Sequence, residues 1–152
     1  MANIRRLGKD EKIPYDLLLL ADETIEAINK YIFNCEIYVL EQKNKIIAEY
    51  ALQPLNESEA EIKNIAVTTE FQGQGIGKSL LRDAAERAKE MGFKTILIGT
   101  GDAATKLLHL YQKEGFKKAG VRVNFFVCNY PKPIFENGIQ LKDMIVLRKP
   151  LK

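Results

Sequence analysis

Histidine, tryptophan and cysteine are scarce in this chain of 152 residues. It has one histidine, His109, no tryptophan, and two cysteines, Cys35 and Cys128. A structural zinc site takes about four cysteine and histidine ligands, so the sequence predicts no such metal site. Two isolated cysteines are more often buried thiols than a disulfide, which is typical of a reducing compartment.

Long hydrophobic runs and a strong charge of one sign are also missing. The first apolar run, residues 15–21, is too short to span a bilayer, and the chain does not open on a signal-peptide pattern. We therefore predict a cytoplasmic location and no membrane partner. The net charge is +3 with no lysine or arginine block, so no nucleic-acid partner is predicted. With 46% hydrophobic and 28% charged residues, the composition is typical of one globular domain over residues 1–152.

Apolar periodicity predicts a mixed α/β (α+β) domain with one central sheet that is parallel only in part. The alternation of residues 61–67 is interrupted near Asn64, which indicates a β-bulge. Two short helices near the N-terminus should bury Ile13, Leu17 and Leu20, and Ile25, Ile28 and Ile32. The predicted strands cover residues 3–7, 36–41, 46–52, 61–67, 95–98 and 116–127, with a last strand carrying Ile139, Leu141, Ile145 and Leu147 on one face; further helices follow residue 77 and residues 101–102.

A glycine-rich loop joins the strand 61–67 to the longest predicted helix. It runs Gln72-Gly-Gln-Gly-Ile-Gly-Lys-Ser79, followed at once by a helical apolar pattern. A helix N-terminus offers unpaired N–H groups and a partial positive charge, and glycine lets the backbone approach a ligand closely. The loop therefore predicts a phosphate-binding site.

Two nucleotide-binding motifs come close to this loop without matching it. A P-loop needs glycine five residues before Gly77, where this chain has Gln72, and a dinucleotide fingerprint needs glycine three residues after Gly75, where it has Lys78. A P-loop-like nucleotide-binding protein therefore stays only as a minor alternative.

The pattern Gln72-x-x-Gly75-x-Gly77, directly after a strand, resembles the GNAT superfamily of acyl-CoA-dependent N-acyltransferases. The segment 61–81 is similar to the acyl-CoA-binding core of that superfamily, and Leu110-Tyr-Gln-Lys-Glu-Gly-Phe116 is similar to its second conserved helix and the strand after it. The resemblance implies a mixed, mostly antiparallel sheet of about six or seven strands with a splayed parallel pair, flanked by about four helices.

The resemblance also implies acetyl-CoA as the cosubstrate, with no metal. The pyrophosphate would lie on the loop, and the pantetheine arm would pair with the strand before it, which the bulge would help to part from its neighbour. The implied cofactor contacts are Ile65, Ala66, Val67, Gln72, Gly73, Gln74, Gly75, Ile76, Gly77, Lys78, Ser79 and Tyr111.

The resemblance implies direct attack of a primary amine on the thioester, through a tetrahedral intermediate. Tyr111 matches the usual acid that protonates the leaving thiolate, although its helical spacing from Leu107 and Leu108 also fits a core aromatic residue. Glu61 matches the position of a general base in several members; a water chain is the alternative. His109 is predicted to lie on the surface, two residues from Tyr111 and on another helix face.

For the acceptor, the sequence indicates candidate contact residues and a general class of compound. Tyr130 and Glu136 could flank a cationic amine, and Asp22 could add negative charge, although loop packing and helix capping explain these residues equally well. We predict a small-molecule amine acceptor and allow for a homodimer through an edge strand. A non-catalytic acyl-CoA-binding or regulatory domain is the main alternative function.

Overall fold

A seven-stranded sheet carries the fold in the computed structural model, which describes residues 3–152. The strands are β1 (Ile4–Arg6), β2 (Glu36–Gln42), β3 (Lys45–Pro54), β4 (Glu59–Val67), β5 (Thr95–Gly101), β6 (Lys117–Arg122), β7 (Phe135–Glu136), β8 (Ile139–Gln140) and β9 (Met144–Pro150). The helices are α1 (Tyr15–Ala21), α2 (Ile25–Asn29), α3 (Ile76–Glu90), α4 (Thr105–Lys113) and α5 (Phe125–Asn129), with 3-10 turns at Ile32–Asn34 and Thr69–Phe71.

The sheet is mixed and mostly antiparallel, as predicted. Its strand order is β1-β2-β3-β4-β5-β9-β6, while β7 and β8 form a separate two-stranded hairpin. Only β4 and β5 pair in parallel; the other neighbouring strands of the sheet are antiparallel. Helix α3 provides the crossover between the parallel strands, which cannot be joined by a tight turn.

The two parallel strands part halfway along their length. Their pairing runs from Glu59 opposite Thr95 to Ile62 opposite Ile98 and then stops. Beyond that point β4 still pairs with β3 as far as Val67, and β5 still pairs with β9 as far as Gly101. A V-shaped gap therefore opens between the second halves of β4 and β5.

The predicted bulge lies in β4, at the point where this gap begins. Ala51 of β3 is opposite Asn64 and Leu52 is opposite Ile62, so Lys63 is the extra residue. An extra residue bends the strand and increases its twist, which fits the divergence from β5 that starts there.

Helices cover both faces of the sheet. Helix α3 buries Leu80, Leu81, Ala84 and Ala88 against the larger core, together with Tyr111 and Phe116. Helices α1 and α2 bury Leu18 and Ile28 against β2 and β3 on the opposite face. Truncating one of these buried leucines to alanine typically costs about 2–5 kcal/mol.

Several boundaries differ from the sequence predictions. The strand predicted over residues 116–127 ends at Arg122, because Asn124 takes a left-handed conformation (φ 55°) and the chain turns into α5. Its N–H donates to the Asp143 side chain at 2.8 Å, which fixes the turn. The predicted last strand is also divided, since Ile139 belongs to the β7–β8 hairpin. That hairpin turns at Asn137 and Gly138, both with positive φ, the dipeptide that type I′ turns prefer.

Three side chains expected in the core are exposed instead. Leu20 is 53% exposed and Ile25 44% exposed, since α1 and α2 span only seven and five residues and bury neighbouring positions instead. Cys128 is exposed, whereas Cys35 is half-buried, and neither forms a disulfide within residues 3–152. No helix in the described part of the chain is long and apolar enough to cross a membrane.

Candidate active site

An open cavity of about 700 Å³ begins at the V-shaped gap and continues onto the α1/α2 face of the sheet. Its wall combines residues from β4, the glycine loop, β5, α4 and the segment after β6. Most of the sequence-predicted site residues lie on this wall: Asp22, Glu61, Ile65, Ala66, Val67, Gln72, Gly73, Gly75, Ile76, Gly77, Lys78, Tyr111, Tyr130 and Glu136. Gln74 and Ser79 do not line it.

The glycine loop presents a row of unpaired backbone donors to the cavity. Gly73 and Gly75 have φ values of 79° and 83°, a region that glycine enters without a steric penalty. Within residues 3–152, no acceptor contacts the backbone N–H groups of residues 73–78, whereas the N–H of Gln72 donates to Thr69 O at 3.3 Å and that of Ser79 to Gly75 O at 3.1 Å. Six consecutive donors are thus free at the N-terminus of α3.

The loop also has room for a ligand close to its backbone. A Cβ atom added at Gly73, Gly75 or Gly77 would meet no atom within 4 Å. The Gln72 side chain donates to Val67 O at 3.0 Å and ties the loop to the end of β4. Free donors, open space and the helix dipole together fit a phosphate or pyrophosphate group.

Tyr111 lies on α4 at the cavity wall, with its ring in the core. The residue is 4% exposed, and its ring contacts that of Phe116 at a centroid distance of 6.2 Å. Burial, and to a lesser extent the Glu136 carboxylate, raises the pKa of its phenol. No hydrogen-bond partner reaches its hydroxyl in the described part of the chain, so this proton is available to a ligand.

Glu61 is almost fully buried in the cavity wall and contacts two cations. Arg122 Nη1 donates to its Oε2 at 3.1 Å and Arg122 Nη2 to its Oε1 at 2.9 Å, while Lys63 Nζ lies 3.8 Å from Oε2. The side chain of Glu61 is 3% exposed, that of Lys63 23% and that of Arg122 34%. We call Glu61, Lys63 and Arg122 the basic cluster, since its net charge is +1.

A second hydrogen-bonded network also lines the cavity. The hydroxyls of Tyr130 and Tyr31 each donate to one carboxylate oxygen of Asp22, the second at 2.8 Å. Asn64 Nδ2 donates to Tyr31 Oη at 3.1 Å and to Leu18 O at 3.0 Å. Burial is the main cause that raises the pKa of both phenols, and the Asp22 carboxylate adds to it. The network joins α1, β4 and the segment after α5.

Four residues of the site have no counterpart in the sequence predictions: Lys63, Arg122, Tyr31 and Asn64. Arg122 carried a weak signal, a single cation between Val121 and Val123 at a strand end. Lys63 carried a signal too, because it lies two positions after Glu61, the spacing that puts two residues on one face of a strand. His109 is exposed, as predicted. Residues 3–152 include no group of three or more His, Cys, Asp or Glu side chains placed to hold a metal ion.

Comparisons with known proteins agree with this geometry. A family model described as an acetyltransferase (GNAT) domain matches residues 33–118. The uncharacterized N-acetyltransferase YvbK of Bacillus subtilis (strain 168) is 42% identical over 133 residues, which cover 88% of this chain and 86% of that protein.

Solved structures are similar over nearly the whole chain. A GNAT family acetyltransferase from Elizabethkingia anophelis with acetyl-CoA bound is 47% identical, with a TM-score of 0.96 over 99% of this chain and 98% of that one. An IAA acetyltransferase from Bacillus cereus ATCC 14579 is 40% identical, with a TM-score of 0.93 over 99% and 100%. A Bacillus subtilis acetyltransferase in complex with CoA is 38% identical, with a TM-score of 0.92 over the full length of both chains.

The family match covers more than half of the chain, and the three solved structures superpose on nearly all of it. The chain therefore belongs to the GNAT family of acetyltransferases.

Proposed function

We propose that this protein transfers the acetyl group of acetyl-CoA to a primary amine of a small molecule. The observation that carries the proposal is that the glycine loop and the gap between the parted strands open into the same cavity. Six free backbone donors at the N-terminus of α3 lead directly into the gap between β4 and β5. The related structures with acetyl-CoA or CoA support the choice of cosubstrate.

Each part of the cofactor has a matching part of the chain. The N–H groups from Gly73 to Lys78 would hold the pyrophosphate, and the free edge of β4 at residues 65–67 would pair with the amide groups of the pantetheine arm. When bound, acetyl-CoA supplies an activated thioester. Ser79 is the weakest member of the proposed cofactor set, since its hydroxyl donates to Gly75 O at 3.3 Å and does not line the cavity.

Tyr111 is the proposed general acid. A thiol has a reference pKa of about 8.5, so protonation of the leaving sulfur at neutral pH helps the reaction without being indispensable. Because the pKa of the Tyr111 phenol is raised, the hydroxyl keeps its proton throughout the neutral range.

Glu61 is the proposed base, and it acts through water. An alkylammonium ion with a pKa near 10.4 must lose a proton before its nitrogen can attack. Both oxygens of Glu61 already accept hydrogen bonds from Arg122, so a bridging water carries the proton more easily than direct contact does.

A small cationic acceptor agrees with the form and charge of the cavity. The contact of Tyr130 with Asp22 links residues 108 positions apart in the chain and narrows the space available to a large acceptor. Asp22, Glu23 and Glu136 line the cavity and favour a positively charged amine. Tyr31, Phe126 and Tyr130 add aromatic faces that can contact its cation.

The test is calorimetric titration of the purified protein with acetyl-CoA, with Mg-ATP as the parallel control, followed by a screen of small primary amines. We expect acetyl-CoA to bind in the micromolar range, Mg-ATP not to bind, and at least one amine to be acetylated. Acetyl-CoA binding without turnover of any amine would favour the non-catalytic acyl-CoA-binding alternative. Binding of Mg-ATP alone would overturn the proposal.

A further inference from the structure

The basic cluster places more positive charge in the cavity than its own carboxylate neutralises. Lys63 and Arg122 share Glu61 and have no other acidic partner among residues 3–152. In the other ion pairs of that range, each carboxylate contacts only one cation. Arg5 contacts two carboxylates, those of Glu11 and Glu41, and every other cation contacts one. In the described part of the chain, only this cluster has two cations on one carboxylate, and all three of its residues line the cavity.

The hydrogen bonds of Arg122 leave part of its guanidinium group free. Within residues 3–152 its side chain makes three hydrogen bonds, two to the oxygens of Glu61 and one, from Nη1 at 3.2 Å, to the sulfur of Met144. A guanidinium group has five N–H donors, so further donors remain for a ligand. Because the Arg122 side chain is one-third exposed and borders the cavity, these donors can be reached.

Lys63 reaches the same region as Glu61. Residues two positions apart in a strand point to the same face of the sheet. Here Lys63 contacts Glu61, and its Nζ lies 5.8 Å from the ring centre of Tyr31, whose hydroxyl bonds to Asn64. The lysine therefore lies on the acceptor face, beside the carboxylate that Arg122 also contacts.

The wall of the cavity carries charges of both signs. The basic cluster has a net charge of +1, and three acids outside it, Asp22, Glu23 and Glu136, also line the cavity. Glu136 influences the pKa of Tyr111, which places this acid near the proposed reaction site. An acceptor with a positive amine and a negative group can be matched by charges of both signs on this wall.

We propose that Lys63 and Arg122 bind a carboxylate of the acceptor, so that the acceptor is an amino acid or a similar compound carrying both an amine and a carboxylate. A carboxylate fits better than a phosphate, because a net charge of +1 is matched by one negative charge. The planar fork of Arg122 also suits a carboxylate geometrically. This inference rests on the proposed function and specifies its acceptor.

The experiment compares acceptors that differ only in the carboxylate. Each member of a series of ω-amino acids is paired with the alkylamine of the same length, and each of several α-amino acids with its amide. The quantity measured is the ratio of kcat/KM with and without the carboxylate, which cancels general losses of activity. For the best pair we expect a ratio of at least about 10 in the unmodified protein.

Two variants and a matched control test the residues. Lys63→Gln removes the surplus charge and leaves the Glu61–Arg122 pair intact; Arg122→Lys keeps the charge and removes the fork. We expect each to lower the ratio about tenfold. The matched control is Arg148→Gln. It breaks the ion pair between Arg148 and Glu59, and Glu59 lies on β4 like Glu61 but outside the cavity. This variant should leave the ratio unchanged.

The outcomes separate the two levels of the proposal. Turnover of amines with a ratio of one or less in every pair would overturn the carboxylate site and leave the acetyltransferase proposal standing. A high ratio that neither Lys63→Gln nor Arg122→Lys changes would assign the carboxylate to other residues and would also overturn it. Acetyl-CoA binding without acetylation of any amine would overturn both.

Discussion

Replacing Tyr111 by phenylalanine tests the proposed acid with little disturbance of the fold. The ring is buried against Phe116, and phenylalanine keeps that contact. Because the hydroxyl has no hydrogen-bond partner among residues 3–152, its removal leaves no polar group of the protein unpaired. We therefore expect the free energy of unfolding to change by less than about 1 kcal/mol.

The expected loss of activity follows from the chemistry of the leaving group. General acid catalysis typically contributes about 10²- to 10⁴-fold, and a thiolate is a fairly good leaving group, so the lower half of that range applies. A loss of about 10²- to 10³-fold in kcat corresponds to about 3–4 kcal/mol of transition-state stabilisation. The affinity for acetyl-CoA should stay within about threefold, since the backbone contacts of the loop do not involve this residue.

The assay follows the loss of thioester absorbance at saturating acetyl-CoA, with calorimetry for binding. Tyr38→Phe is the matched control, because Tyr38 is also a core tyrosine, 2% exposed, but does not line the cavity. If Tyr111→Phe kept more than about a fifth of the wild-type kcat while chemistry limited the rate, the hydroxyl would not be the acid. An equal loss in the Tyr38→Phe control would show that the effect is structural.

Three further changes separate cofactor binding, stability and acceptor binding. Gly77→Ala should raise stability by up to about 1 kcal/mol, because alanine has the higher helix propensity. It should also weaken acetyl-CoA binding at least about tenfold, because the added methyl group enters the open space at the glycine loop. An unchanged Kd in calorimetry would contradict the assignment of the loop. Glu49, fully buried without a partner among residues 3–152, has a raised carboxyl pKa. Above a pH of about 4.5 the folded protein keeps a proton that the unfolded chain releases, so stability falls as pH rises, by up to about 1.4 kcal/mol per pH unit. In denaturant titrations Glu49→Gln should flatten this dependence, and parallel curves would refute it. Asp22→Asn should raise KM for a cationic amine about tenfold with a smaller effect on kcat, and a KM within twofold of wild type would exclude Asp22 from acceptor binding.

Local patterns in the sequence predicted the part of the fold that surrounds the cofactor site. The alternation of β2 and β3, the glycine loop and the apolar period of α3 each depend on neighbouring residues, and each appears in the structure where expected. The bulge was predictable for the same reason, because its effect on alternation is visible within a few residues of Asn64. These features also carried the family resemblance.

The acceptor side was less predictable, because long-range contacts decide it. Arg122 reaches Glu61 across 61 positions of sequence, and Tyr130 reaches Asp22 across 108. The predicted strand over residues 116–127 failed because Asn124 adopts a left-handed conformation and bonds to Asp143, a residue that enters from the β8–β9 connection. The dipeptide Asn137-Gly138 was a local signal for the β7–β8 hairpin, but these residues were predicted only as part of a loop.

The bulge at Lys63 divides β4 into two halves of opposite phase. Before it, the odd-numbered Glu61 faces the acceptor cavity and the even-numbered Ile62 faces the core; after it, Asn64 faces the acceptor side and Ile65 packs on the core. If Lys63 were instead paired as an ordinary strand residue, with Asn64 and Ile65 kept in place, the first half of β4 would shift by one position and exchange its two faces. Glu61 would then point into the apolar layer beneath α3 and Ile62 into the cavity. One residue with no pairing partner therefore keeps the two halves of the strand in agreement.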